Sequence, residues 1–405
     1  IPSGVTLTNS GTATGFGSDS DISWQSVVTS DTTMVAGRGY FVDSSGGAKT
    51  MTLPASPSLG DTVAIVALDG ATNSVTIARN SSKIEGSTDD LTIATAYGAL
   101  TLVFSDADNG WYRHNNEAPD SFVSATGGTA TTSGDYKIHT FNSSSNFVVS
   151  QTGAGSGPAS VEYVVVGGGA SGGSGIAGGG GAGGFRESKS PVAGTYTASP
   201  LATPTAITVA AQTYPITVGG GGAATGPGNI RGTSGSNSVF STITSAGGGA
   251  GSGYDSPASA GGSGGGGSGG GPGQSGAAGN TPPVSPPQGL GGGEGAPSNN
   301  RGGGGGGGAS AAGGDSSNLG AAGGNGLATA ITGSSVTRAG GGGGGSDSSG
   351  GAGGSGGGGT GGTATSAPSV TTGTANTGGG GGGGGNGVNG KSGGSGVVIL
   401  RYKYQ

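Results

Sequence analysis

The chain has 405 residues, enough for two or three domains, and 106 of them are glycine. Charged residues make up 8% against a usual quarter, so an ordinary charged helical surface has little to be built from. Cysteine is absent, which excludes disulfides and thiolate metal sites, and a net charge of −6 without a basic run argues against a nucleic-acid partner.

In chain order, residues 1–20 are Gly, Ser and Thr with little periodicity and read as a linker from an upstream element. From 21 to 117 short runs rich in β-branched and aromatic residues alternate with turn residues: GYFVDSS (39–45), KTMTLPA (49–55), DTVAIVALD (61–69), NSVTIARN (73–80) and GALTLVF (98–104). This pattern predicts a small antiparallel β domain. In TVAIVAL (62–68) both faces are apolar, which predicts a central strand or one clamped between a core and another subunit. Residues 118–160 read as a connector containing a hairpin, DYKIHTF (135–141) against SNFVVSQ (145–151) around Asn142-Ser-Ser.

Composition steps sharply after this point. Residues 1–160 hold 19 glycines and 161–405 hold 87. VEYVVV (161–166) runs into glycine, the chain closes on GVVILRYKYQ (396–405), and the two apolar runs are expected to pair as strands. Between them lie unbroken runs at Gly302–Gly308, Gly340–Gly345 and Gly378–Gly385. Flexible linker is the default reading of Gly/Ser-rich sequence, but TAITVAAQTYPITVGG (205–220) and NSVFSTITSAGG (237–248) carry strand signals that a coil does not need. Collagen requires glycine at every third residue and abundant proline, and neither is present.

The remaining reading is a bundle of polyglycine II helices, three residues per turn, in which each N–H and C=O bonds to a neighbouring helix. Glycine is then the core, with Gly304, Gly305, Gly342, Gly343, Gly381 and Gly382 at the centres of the longest runs. The expected fold is an all-β N-terminal module followed by a polyglycine II helix bundle over 161–405, bracketed by β-strands, with essentially no α-helix. Spacers between the runs must turn the chain at the bundle ends, and loops on a rigid scaffold are where binding usually resides. They supply the candidate binding residues: Tyr254, Asp255 and Pro257 in YDSPAS, Asn299, Asn300 and Arg301 in APSNNR, Asp347 in SDSS, and Thr365 and Asn376 in TATSAPSVTTGTANT. Gly373, in the last spacer, is expected in an end loop.

Few residues point to chemistry. His114 and His139 lack clustered partners and read as surface or interface residues. Asp106 and Asp108 in SDADNG fall short of a calcium-loop pattern and read as turn residues. Trp24 and Trp111 read as core or subunit-interface anchors. The many Gly-x-Gly-x-x-Gly matches follow from composition. No catalytic residue, metal site or cofactor is expected, and the longest apolar run is too short for a membrane-inserted helix.

The stretch VEYVVVGGGASGGSGIAGGGGAGG, the glycine runs and the ending GGGGGGGGNGVNGKSGGSGVVILRYKY resemble the glycine-rich domains of bacteriophage tail-fibre proteins, especially those of marine phages. Glycine-rich adhesins at the tips of myophage long tail fibres are similar, although this chain departs from them in size, in its irregular runs and in lacking aromatic-rich tip loops. A run of VVV into polyglycine also occurs in the glycine-rich ectodomain of anaplastic lymphoma kinase receptors. GRGYFVDSSGGAKTMTLPASPSLGDTVAIVALDG with DADNGWYR resembles a β module of phage fibre and appendage proteins, which favours the phage reading. The resemblance implies a non-enzymatic structural protein in the outer fibre of a virion. Its implied partners are two further copies in a homotrimer, other fibre or tail proteins at the N-terminus, and a bacterial surface polysaccharide or outer-membrane protein. A head fibre, an extracellular matrix or ice-binding protein, and a polysaccharide depolymerase are the rival readings.

Overall fold

The computed structural model describes residues 22–69, 73–95, 97–114, 121–154, 157–270, 275–297, 301–364 and 369–405. The expected N-terminal linker lies outside these residues. Among the described residues the regular elements are β-strands and no α-helix occurs. The chain forms two compact units, 1–117 and 118–405.

In the first unit, β1 (Ser23–Trp24), β3 (Arg38–Val42) and β5 (Thr62–Ala67) pair in parallel in one sheet. The intervening β2 (Thr32–Thr33), β4 (Lys49–Thr52) and β6 (Val75–Ala78) pair in parallel in another. Only β7 (Leu91–Ile93), which pairs with β6, and β8 (Gly98–Asp106) and β9 (Gly110–Arg113), which follow β5, are antiparallel. The expected antiparallel domain is therefore corrected to a mixed one. Parallel neighbours need a crossover, and here each crossover is itself a strand of the other sheet. Side chains from both sheets, among them Val42, Met51, Ile65, Ile77, Leu102 and Trp111, share one core. β5 is central, between β3 and β8, as its two apolar faces predict. Trp111 is fully buried against Phe104, whereas Trp24 is 48% exposed and stacks on Phe41. The Asp106 carboxylate accepts the Asp108 and Asn109 N–H groups, so SDADNG works as a turn.

The second unit opens with β10 (Ser124–Thr126), β11 (Thr129–Ser133), β12 (Tyr136–Phe141), β13 (Ser145–Gln151) and β14 (Ser160–Val166). It continues with β15 (Phe185–Glu187), β16 (Ile207–Thr208), β17 (Thr213–Thr217), β18 (Ser238–Phe240) and β19 (Ile243–Ser245). A hairpin, β20 (Leu327–Thr329) with β21 (Val336–Arg338), and the closing β22 (Val397–Lys403) complete it. One sheet runs β11-β12-β22-β14-β15 with β16 added to β14, and another runs β10-β13-β17-β18-β19. β14 and β22 are antiparallel neighbours from Glu162↔Arg401 to Val166↔Val397, as their matched apolar runs predict. The expected 135–151 hairpin does not form. Both edges of β12 are taken by β11 and β22, so residues 142–144 carry the chain to the other sheet, where β13 pairs with β10 and β17.

The two sheets meet over Phe141, Phe147, Phe240, Leu400 and Tyr402. His139 is fully buried in this layer, which corrects its surface assignment. Its Nδ1–H donates to the Gly127 carbonyl at 2.6 Å, and Nε2 accepts the Tyr402 hydroxyl at 3.0 Å. Burial lowers its pKa. His114 is exposed.

From Val166 the chain leaves the sheet as extended glycine segments, touches it again at β15 and β16, and closes on it with β22 from Val397. Gly167, Ala170 and Gly173 donate to Gly184, Gly181 and Gly178. Gly168, Ser171 and Ser174 donate to Ser236, Thr233 and Ile230, and Gly169, Gly172 and Gly175 to Gly394, Lys391 and Val388. One segment thus donates to three neighbours, each recurring at every third residue, and its carbonyls accept from others, among them Gly248 and Gly251, and Gly381 and Gly384. The same period holds at 303–308, whose donors alternate among Gly345/Gly342, Gly267/Gly264 and Gly314/Ala311. Gly304, Gly305, Gly342, Gly343, Gly381 and Gly382 are all buried, and a Cβ on any of them would lie under 3.0 Å from a neighbouring carbonyl. Gly373 is no loop residue. It is buried in a short segment of the same kind, donates to the Ser392 carbonyl, and a Cβ there would come within 2.6 Å of the Gly394 nitrogen.

Candidate functional site

The glycine segment that opens at Gly167 runs from the sheets to a remote end. Gly167 follows β14 directly, and its segment reaches Ser174, which donates to the Gly228 carbonyl and accepts the Ile230 N–H. The end remote from the sheets is therefore marked by the turn around residues 226–231. Several spacers meet there. Asn229 Nδ2 donates to Asp255 at 3.3 Å, and the Tyr254 hydroxyl donates to the Gly270 carbonyl at 2.8 Å. A Cβ at Gly270 would stand 3.2 Å from the Tyr254 ring and 3.9 Å from Arg301 Cγ, which places those two spacers side by side. Arg301 and Asp347 form an ion pair at 3.1 Å, and the Asp347 N–H donates to the Arg301 carbonyl. Gly302 bridges to Ser346, and the space a Cβ would need at Gly302 is filled by Ser316 and Leu319.

Of the residues anticipated from sequence, Tyr254, Asp255, Arg301 and Asp347 are thus gathered at one end, and Pro257 is exposed in the same spacer as Tyr254. Asn376 is not with them. It exchanges hydrogen bonds with Ser395 through its N–H and Oδ1, beside Gly378, which adjoins Val166 at the sheet end. Asn299, Asn300 and Thr365 lie outside the described residues. Sequence reasoning missed Asn229, Ile230 and Leu319. Ile230 and Leu319 are 48% and 51% exposed and give this end an apolar component. Their signal was the turn chemistry of Gly226-Pro-Gly-Asn and of Asp315-Ser-Ser-Asn, placed between glycine segments.

The Arg301–Asp347 pair is half-exposed, so solvent screening leaves it a small stability term. Serine fixes the turns: Ser346 Oγ accepts the Ser348 and Ser349 N–H groups, and Ser316 Oγ donates to the Leu319 carbonyl. Among the described residues no cluster of three His, Cys, Asp or Glu is placed to hold a metal ion. This end presents an amide, two carboxylates, a guanidinium, a phenol and two aliphatic side chains on short, hydrogen-bonded turns.

No curated protein matches the chain. The family model of the glycine-rich domain matches residues 142–403, from the turn after β12 to the end of β22. That stretch is well over half of the sequence and includes both the bracketing strands and the segments between them, and the chain belongs to the glycine-rich domain family.

Proposed function

We propose that the glycine segments form a polyglycine II bundle and that the chain is a distal component of a bacteriophage tail fibre, where it presents the remote loops for adhesion to a bacterial surface. The observation that carries the bundle is the three-residue recurrence of hydrogen-bond partners, since three residues per turn is the period of this helix. In the longest runs, 302–308, 340–345 and 378–385, a Cβ at every position would meet a neighbouring backbone carbonyl under 3.0 Å, which is why those runs are pure glycine. Edge segments such as 219–225 tolerate alanine on their outer face, where Ala223 and Ala224 are exposed. Eight residues at about 3.1 Å each give a scaffold roughly 25 Å tall. Its loops have little backbone freedom to lose on binding, and weak contacts by single loops gain through avidity when several copies are joined.

The phage assignment rests on the resemblance of both units to fibre proteins. Large exposed apolar side chains in the first unit, including Trp24, Leu59 (83%) and Tyr97 (76%), support contacts with further copies, as in a homotrimer, or with other virion proteins. Fluorescently labelled protein incubated with a panel of bacterial strains tests adhesion. The expected result is binding to a subset of strains that is lost when Ile230, Arg301 and Asp347 are replaced together and kept when Asn376 is replaced. Binding to no strain, or equal binding by both variants, overturns the reading. Light scattering checks the trimer, and immunogold labelling of particles separates a tail fibre from a head fibre.

A further inference from the structure

Away from the remote loops, a cleft of about 550 Å³ opens beside the β11–β12 turn, within the range of small-ligand sites. Arg401, Tyr136 and Tyr196 line it, with Ser133, Thr195, Thr197 and Asp135 around them. Arg401 is only 4% exposed, yet no carboxylate bridges it among the described residues. Its cross-strand neighbour Glu162 is taken by the Ser188 hydroxyl and the Ser190 N–H. The other buried carboxylate of this layer, Glu187, is taken by the Ser199 N–H and the Thr329 hydroxyl. The guanidinium instead lies between two rings, 4.3 Å from the Tyr136 centroid and 5.1 Å from that of Tyr196. It donates to the Ile331 carbonyl, and its Nε has no partner. Arginine stays charged when buried, and a buried charge is costly unless an anion meets it. Cation–π contact with two rings holds the guanidinium without using up its donors.

We propose that this cleft binds a sugar acid of the hexuronate type, with the carboxylate on Arg401 and the ring hydroxyls on the surrounding hydroxyl and carboxylate side chains. Asp135 selects against a simple anion. It repels any anion, and a sugar acid offsets that repulsion by donating its ring hydroxyls to the carboxylate, which inorganic phosphate has no ring to supply. The tyrosines supply the aromatic wall that a sugar ring needs. This inference goes beyond adhesion by the remote loops and does not depend on it.

Saturation-transfer NMR and calorimetry on the full chain test the proposal, with glucuronate, glucose and inorganic phosphate as probes. Glucuronate is expected to bind saturably and about tenfold or more tighter than glucose, because a charge-assisted hydrogen bond separates them. Thr195→Trp, at an exposed lining position, is expected to abolish binding by filling the cleft, and Arg401→Lys to weaken it by losing the planar fork. Circular dichroism checks that both variants fold. If Arg401→Lys does not, Thr195→Trp decides alone. Absence of saturable glucuronate binding, equal binding of glucose or phosphate, or a Thr195→Trp variant that binds like the wild type overturns the assignment. Bacterial binding by Thr195→Trp separates this site from the remote loops, whose reading stands or falls on the Ile230, Arg301 and Asp347 variant.

Discussion

Replacing Gly381 by alanine tests whether glycine acts as the core. A Cβ at this position would overlap the Lys391 carbonyl and come within 2.6 Å of the Ser392 oxygen, both backbone atoms of a neighbouring segment. No side chain can swing away, so the segment at 389–396 must shift. That shift strains the bonds its carbonyls accept from Gly172 and Gly373, at 3.2 and 2.9 Å, and the bond from the Lys391 N–H to Gly382 at 3.0 Å. A buried group left unpaired costs about 1–3 kcal/mol, so three strained bonds give a loss on the order of 3–9 kcal/mol. For a unit of this size that is a fall in Tm of roughly 5–15 °C. Gly220→Ala is the control. Gly220 belongs to a glycine run, is exposed, and has nothing within 4 Å of a Cβ position. It is expected to move Tm by less than about 2 °C, because reduced freedom of the unfolded chain offsets any small loss. Scanning calorimetry of the full chain reads both. A Gly381→Ala protein that melts with the wild type, or a Gly220→Ala protein destabilised as much, refutes the argument that close backbone contact is what requires glycine.

Three further outcomes follow from the same geometry. Burial lowers the His139 pKa, so the unfolded chain takes up the proton first. The stability contributed by the neutral ring is complete above about pH 6.5 and is lost as pH falls toward the depressed folded value, and urea midpoints flat from pH 7 to 5 would contradict this. Phe147→Ala removes a fully buried ring in contact with Phe141, His139, Phe240 and Tyr402, and urea unfolding is expected to show a loss of about 3–5 kcal/mol. Arg301→Ala breaks a half-exposed ion pair worth about 0–1 kcal/mol, so its Tm should stay within about 2 °C of wild type while cell binding falls.

What was legible in the sequence was whatever a few adjacent residues determine. Alternating apolar runs located β14 and β22, and their matched character predicted that they pair. The two-faced apolar run at 62–68 marked β5 as central, and TYPIT and SVF were readable as β17 and β18 inside a glycine-rich background. The density of glycine implied backbone packed against backbone. Tertiary structure decided the rest, because it depends on which distant group satisfies each N–H. Residues 135–151 have the composition of a hairpin, but β11 and β22 occupy both edges of β12, and no local feature reports that. Parallel winding in the first unit is likewise a matter of crossover partners. His139 follows a polar pattern, and only the closing strand, which brings Tyr402 over it, makes it a core residue. The loops show the limit most clearly. Tyr254 and Asn376 sit in similar spacers, yet they lie at opposite ends, because the end a spacer occupies depends on how many segments precede it. Within a glycine run every residue is identical, so no side chain sets the register. It is set by the hydrogen bonds to the surrounding segments, and those neighbours are separated from the run by up to hundreds of residues of chain.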